Sequence, residues 1–455
     1  MAESSHGRAA AACLAAALIA FAACVLAPLR PQGTDTVPGR VGAVAVACTG
    51  SFDLRDVDWL ADMAAKRQVP YYALAADDDR LVSTFGRAPA VLGAASMAFL
   101  APGQRVTDRF LQRQARLAAA FALALATALL CLALLAVAAP PVALALSASV
   151  ALSCAGSATL GQALWQQTPA LPVLCAALAS LFWGRKHRWV LLTVPALLAV
   201  LVLLRPPSFA LALGLAGAWF VALRPFADRG RIALWSMALA VLAAMPLIFA
   251  NLQDYGTPLP AGQAIMNAAL APQGQAISLA PSRWLPALAG LLASPGRGLL
   301  WYAPLALLGL GLALRVRDHF VRSLAIGAVL HLGLIATFFR WTGGVTFGPR
   351  LLAELIWLCA LLAAAAGAWQ IPWQRKLLAV TMLWTVAVGL LGLARFDPRL
   401  WELRHLEQPA ALWQVADSPL VALATRPMPR YAIGDAPPGP FRYCQPRPLQ
   451  PWSAP

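Results

Sequence analysis

Asp35 stands in the stretch Gly33–Arg40, Gly-Thr-Asp-Thr-Val-Pro-Gly-Arg, a few residues after the first apolar run of the chain. A carboxylate placed there lies at a membrane surface, within reach of a lipid headgroup and of an aqueous acceptor. It suits a general base that deprotonates an attacking hydroxyl. The same spacing also describes an Asp that caps a turn. Asp53, in Gly50–Asp58 (GSFDLRDVD), is the alternative base and equally a helix-start residue or part of a solvated face.

A second chemistry belongs to Arg297 in Ser294–Pro304 (SPGRGLLWYAP) and to Arg340 and Arg350 in Phe339–Arg350 (FRWTGGVTFGPR). A guanidinium is planar and offers paired donors that match phosphate oxygens, and neighbouring glycines let backbone approach the ligand. These three suit a phosphodiester or pyrophosphate headgroup, with Arg40 as a fourth. Taken singly, each also fits an Arg snorkelling to the interface. Glu354, four residues after Arg350, reads as its helix-end ion-pair partner. Trp165, Gln166, Gln167, Asp254, Tyr255 and Trp341 are expected close to the same substrate.

Membrane helices must deliver these residues to one place. With 60% hydrophobic and only 12% charged residues over 455 positions, the chain is too apolar to be soluble. Charge-free stretches such as Leu117–Ala138, Val142–Leu160 and Ile232–Ala250 approach the roughly 20 helical residues that cross a bilayer core. The expected fold is an all-α integral membrane protein with about eleven spans (range ~10–13). Ala9–Pro28 comes first, as an uncleaved signal anchor. Ten spans follow: Leu117–Ala138, Val142–Leu160, Ala170–Trp183, Trp189–Leu204, Ser208–Leu223, Ile232–Ala250, Leu299–Leu314, Leu324–Phe339, Leu351–Ala368 and Leu377–Leu393.

The net charge of +16 sits mainly on Arg in short turns. It forms no basic face that tracks nucleic acid, so no nucleic-acid partner is expected. Basic connections at Gly184–Arg188, Arg224–Arg231, Arg315–Arg322 and Trp373–Lys376 alternate along the chain and read as cytoplasmic. That puts the N-terminus in the cytoplasm and the C-terminus outside it. Four regions result: 1–29 with the first helix, an extracytoplasmic loop 30–116 with juxtamembrane helices, the helical domain 117–394, and a Pro-rich tail 395–455, irregular over Pro419–Pro455. Ala88–Ala101 reads as juxtamembrane or re-entrant. Arg105, Arg109, Arg113 and Arg116 fall on the outer side against the positive-inside rule. Six Cys read as packing residues, and Cys48 and Cys444 as a pair on one side able to form a disulfide. No metal site or cofactor is expected, and a divalent-metal requirement stays open.

The series TDTVPGR, GSFDLRDV, LVSTFG, GQALWQQTPAL, LLRPP, NLQDYGTPLPAG, SPGRGLLWYAPL, FRWTGGVTFGPRLL and FDPRLW resembles bacterial membrane proteins of the GT-C glycosyltransferase superfamily. Relatives there include protein O-mannosyltransferases and lipid A aminoarabinose transferases. The resemblance covers about residues 9–415. It implies a large first external loop, an acidic catalytic residue just after helix 1 where Asp35 stands, and a polyprenyl-phosphate sugar as donor. It also implies membrane lipid as surroundings, an extracytoplasmic acceptor and a bacterial inner-membrane location. Trp165–Gln167 matches a family loop Leu-Trp-Gln-His, with Gln167 in place of the His. Two other functions stay open: a lipid-linked sugar carrier or flippase, and a catalytically silent scaffold of the same fold.

Overall fold

Inside a bilayer each backbone N–H and C=O must find a partner within its own segment or in packed protein, and an apolar chain meets that demand with helices. The computed structural model describes residues 2–29, 33–57, 60–61, 72–77, 80–100, 105–270, 279–344, 346–396, 409–425 and 441–442. Its principal helices are α1 (Ala2–Leu26), α2 (Val37–Thr49), α3 (Ala88–Ala94), α4 (Asp108–Leu134), α5 (Pro140–Ala151), α6 (Gln167–Gly184), α7 (Val194–Leu204), α8 (Phe209–Leu223), α9 (Arg229–Tyr255), α10 (Gly262–Leu270), α11 (Pro281–Ala293), α12 (Pro304–Arg315), α13 (His319–Ala336), α14 (Ala353–Ala365), α15 (Pro372–Arg395) and α16 (Pro419–Thr425). The protein is a helical integral membrane protein.

Among the described residues seven helices are long and apolar enough to cross a bilayer: Gly7–Leu26, Asp108–Leu134, Gln167–Gly184, Pro206–Leu223, Arg229–Tyr255, His319–Ala336 and Pro372–Arg395. The four other expected spans also fall on helices, but shorter ones. Thus α5 holds 12 residues, or about 18 Å of rise against a core of about 30 Å. The chain after α5 leaves the helix yet stays inside protein, with Ser153–Ser157 and Thr159–Gly161 buried. Irregular backbone is tolerated at such depth only when its polar groups are satisfied. Here Ser157 N–H donates to Ala151 O at 2.7 Å, and the Gln162 amide donates to Ser157 O at 2.9 Å.

The core centres on α14, whose residues Ala353 to Ala364 are all buried, and α12, α13, α4, α5 and α6 pack around it. On the periphery α9 turns Leu234, Leu242 and Phe249 outward, and α15 does the same with Val380 and Leu383. These are the lipid-facing walls. Helices α8 and α13 touch backbone to backbone, for a Cβ built on Gly214 would lie 2.5 Å from the Gly327 Cα.

At one end of the bundle Arg185 pairs with Asp318 and Arg188 with Asp228, each at 3.3 Å. Three of the four basic turns expected on one side therefore meet. A second small core brings together Val41, Leu54, Leu81, Met97 and, from the start of α4, Leu111. A hairpin pairs Ala73–Asp77 with Arg80–Ser83, Leu74 opposite Val82. Within the stretch expected to be juxtamembrane or re-entrant, Ala88–Ala94 forms α3 and a 3-10 turn runs on to Met97, well short of a bilayer crossing. Of the arginines at odds with the positive-inside rule, Arg116 donates to the Ala27 carbonyl just past α1 at 2.7 Å.

Between the expected spans Ile232–Ala250 and Leu299–Leu314 lie the helices α10 and α11. One expectation changes. The tail is not irregular throughout: α16 packs on α15, and Phe441–Arg442 pairs with Arg105–Val106. The rest of Pro419–Pro455 lies outside the described residues. Cys48 is disulfide-bonded, and Cys13, Cys24, Cys131, Cys154, Cys175 and Cys359 are free thiols. Cys444, its expected partner, lies outside the described residues.

Replacing Gly214 by Leu drives a side chain into the Gly327 backbone, and overpacking of this kind costs about 1–3 kcal/mol. A lowered unfolding midpoint of the detergent-solubilised protein is the expected result. An unchanged midpoint contradicts the tight α8–α13 crossing.

Candidate functional site

Asp35 sits in a single 3-10 turn, Thr34–Thr36, that runs directly into α2. Thr36 closes the turn through its own N–H and its hydroxyl, both donating to Gly33 O, at 3.0 and 2.7 Å. Pro38 is tolerated at the helix start, where no intrahelical partner for its nitrogen is needed. One turn on, Gly39 allows a close approach: a Cβ there would lie 2.8 Å from the Leu164 carbonyl oxygen. That contact brings the Asp35 turn beside Trp165.

Arg350 arrives by a second irregular route. The loop between α13 and α14 holds Gly343, Gly344 and Gly348 at φ of 80°, 68° and 75°. Residues with a side chain strongly disfavour this region. Arg297 pins the loop, its guanidinium donating to the carbonyls of Gly344 at 2.7 Å, Gly348 at 3.3 Å and Thr346. Arg350 then opens the 3-10 turn Arg350–Leu352 ahead of α14.

The two routes meet. Arg350 Nη2 lies 2.7 Å from Asp35 Oδ2, across 315 positions of sequence. The Arg350 guanidinium carbon stands 4.0 Å from the centroid of the Trp165 ring, a cation–π contact worth about 2 kcal/mol when desolvated. Trp165 is itself fixed by donating its indole N–H to Thr159 O at 3.1 Å. A cleft of about 360 Å³ opens here, lined by Asp35, Phe85, Trp165, Gln166, Gln167, Arg205, Pro207, Gln263, Phe338, Arg350 and Leu351. The Asp35 side chain keeps 28% of its exposure while Arg350 keeps 8%, so the carboxylate is the more accessible of the pair.

Beside it lies a second cleft of about 450 Å³ with a more apolar wall that includes Leu203, Leu204, Leu247 and Ala250. Phe85, Gln166 and Gln263 border both clefts. Gln263 donates to the Gln166 side-chain oxygen at 3.0 Å, so one carboxamide pair marks the boundary.

The other residues singled out in the sequence stand elsewhere. Asp53 accepts the backbone N–H of Arg55 at 2.9 Å and of Leu81 at 3.0 Å, which joins its turn to the hairpin. Arg40 pairs with Asp108 at 3.0 Å and ties α2 to the start of α4. Nearby, burial pushes the Tyr72 phenol up to about 12 against the pull of Arg40, so it stays neutral. Asp254 takes a two-pronged bond from Arg87, and the Tyr255 hydroxyl donates to Ser83 O at 2.6 Å. Both fasten α9 to the 80–87 segment at the edge of the second cleft. Arg340 is exposed in its turn, and Trp341 packs against Gly290 of α11. Among the described residues no three His, Cys, Asp or Glu side chains gather as metal ligands do.

One expectation is corrected. Glu354 does not pair with Arg350; its carboxylate receives Arg205, and both side chains are almost fully buried. Helical spacing offered Arg350 as the neighbour, but the 3-10 turn breaks that register and tertiary packing supplies a closer cation. Sequence reasoning passed over Arg205 and Gln263 as cleft residues. For Arg205 a signal existed: a lone Arg within the apolar run Val200–Phe209.

No protein-family model matches the chain, and no curated protein matches it. Among solved structures it is similar to the oligosaccharyltransferase of Archaeoglobus fulgidus. The apo form matches with 14% identity and a TM-score of 0.44, covering 84% of this chain and 55% of that one. The form tethered to an acceptor peptide matches with 13% identity and a TM-score of 0.46, over the same shares. The complex with an inhibitory peptide and a dolichol-phosphate gives 13%, 0.45, and 90% and 60%. The chain thus spans little more than half the length of those proteins.

Arg297→Met removes the bonds that hold the glycine loop, and losing charged hydrogen bonds of this kind costs on the order of 3 kcal/mol. Faster proteolysis within residues 340–350, alongside a lower unfolding midpoint, is the expected outcome. Wild-type resistance at that loop contradicts the anchoring role.

Proposed function

We propose that this protein transfers a sugar from a polyprenyl-phosphate carrier to an acceptor on the outer side of a bacterial inner membrane. What supports the reading is the meeting of Asp35 and Arg350 in one cleft over the Trp165 ring. An acid that can take a proton and a guanidinium that can meet a phosphate face each other there. The apolar wall of the adjoining cleft suits the prenyl chain, which needs no directional contacts. Phe85, Trp165 and Phe338 offer flat apolar faces to a pyranose or furanose ring, and Gln166, Gln167 and Gln263 offer carboxamides to its hydroxyls.

In this scheme Asp35 is the base. It takes the proton of the acceptor O–H as that oxygen attacks the anomeric carbon opposite the phosphate. The bond from the anomeric carbon to the phosphate oxygen breaks, both electrons leave with the phosphate, and the product is inverted. Charge balances: the carboxylate is neutralised as the departing phosphate gains one negative charge. Arg350 meets that growing charge, an interaction stronger in the transition state than before it. Before substrate enters, the two groups hold each other. A phosphodiester that takes the Arg350 donors frees the carboxylate for its proton.

The orientation follows the basic turns. The end carrying Arg185, Arg188, Asp228 and Asp318 faces the cytoplasm, and the cleft opens to the other side. Arg297, Arg40, Asp53, Asp254, Tyr255 and Trp341 act by holding the segments that frame the cleft. Arg340, exposed, is available to a headgroup at the interface.

Asp35→Asn keeps the size of the side chain and removes the base. In proteoliposomes supplied with a polyprenyl-phosphate sugar and acceptor, transfer should fall by roughly 10²- to 10⁴-fold, the usual contribution of a positioned base. Binding of the carrier should persist. Unimpaired transfer removes Asp35 from the role, and carrier movement across the bilayer without transfer favours the flippase reading instead.

A further inference from the structure

Resting on the reading just given, a second cation in the cleft acquires a definite part. Helix α7 ends at Leu204, and Arg205 follows in extended backbone ahead of Pro206 and Pro207. The Arg205 side chain keeps 2% of its exposure, and the Glu354 side chain keeps none. Arg205 lines the charged cleft together with Asp35 and Arg350. Its Nη1 bonds Glu354 Oε1, and its Nη2 donates to Leu351 O at 3.2 Å, the carbonyl next to Arg350. The second carboxylate oxygen, Glu354 Oε2, is buried with no hydrogen-bond partner among the described residues.

Packing alone does not call for such a pair. Two charges taken out of water lose more hydration than their attraction commonly returns, and apolar residues of similar volume hold a core as well or better. Ionisable groups at membrane depth are rare and mark places where charge is handled. The two guanidiniums of the cleft also differ in kind. Arg350 is held by a partly exposed carboxylate that can let go. Arg205 is held from behind by a carboxylate sealed in protein, with its plane fixed by a backbone carbonyl. A cation fixed in this way meets an anion without reorganising.

We propose that Arg205 is the stationary phosphate-contacting guanidinium of the cleft and that Glu354 is its positioning residue. Arg350 exchanges between Asp35 and the phosphate, while Arg205 stays where it is and sets the place of the phosphate.

The test uses the full chain in nanodiscs and compares a long-chain prenyl phosphate with the corresponding prenol. Removing Arg205 alone would leave a buried carboxylate without its cation, so the informative variant is Arg205→Gln with Glu354→Gln, which deletes both charges and keeps hydrogen-bonding groups. Prenyl-phosphate affinity should fall at least about tenfold, the size of one lost charged contact. Prenol affinity and the unfolding midpoint should stay near wild type. Arg205→Lys keeps the ion pair and the fold but loses the planar fork, so it should show the same selective loss. Wild-type phosphate affinity in either folded variant overturns the assignment. Arg350→Gln is run alongside. If it loses the preference for phosphate while the Arg205 variants keep it, the Arg205 role alone fails. If the wild type itself does not prefer the phosphate to the prenol, the glycosyl-transfer reading fails and takes this proposal with it.

Discussion

A cation and an anion held 2.7 Å apart at the rim of an apolar bundle set the terms for everything around them. The Arg350 guanidinium is buried, and a buried charge left without a partner costs far more than a buried neutral side chain. The pair ties the start of α2 to the start of α14. Those elements belong to different structural regions, one to the small polar-side core and one to the centre of the helical bundle. The interaction that could do chemistry is therefore also the one that registers the two cores against each other. Trp165 supports it by covering the guanidinium face, which excludes water from one side without adding charge.

Around this pair, glycines and arginines divide the work. Gly39 and Gly348 permit close approaches: a Cβ on Gly348 would lie 2.8 Å from the Tyr302 ring. Arginines then lock what the glycines permit. Arg297 gathers carbonyls of the glycine loop, Arg87 fastens α9 through Asp254, Arg40 fastens α2 through Asp108, and Arg116 covers the exit of α1. A chain with 32 Arg and three Lys makes sense in this light. A planar fork of donors can satisfy several carbonyl or carboxylate oxygens at once, and an ammonium on a flexible stem does so less well.

The helical membrane architecture was legible from composition and run length, because hydrophobic thickness translates directly into residue count. Asp35 and Arg350 were legible as chemical types. Their contact was not, since nothing local encodes a separation of 315 residues. The arginines were harder to sort: Arg297, Arg340 and Arg350 look alike in sequence, each with a glycine close by, yet one points at carbonyls, one at solvent and one at a carboxylate. The difference comes from how the glycine loop folds back, a tertiary property. Glu354 misled for a related reason. The i to i+4 rule assumes continuous α-helix, and the 3-10 turn at Arg350–Leu352 removes that premise. Helices α10 and α11 were obscured by the Pro, Gly and Gln around them. Composition said little about the local order of that stretch.

The half-length helix α5 and the buried irregular stretch after it bear on biosynthesis. A segment of 12 residues offers too little apolar length to settle across a bilayer unaided. Its far end is met by the last long helix: Gly389 of α15 lies against the Leu152 carbonyl, and Gly392 against Phe347 of the glycine loop. Residues near 390 must therefore be made and inserted before the buried stretch that follows α5 is fully covered.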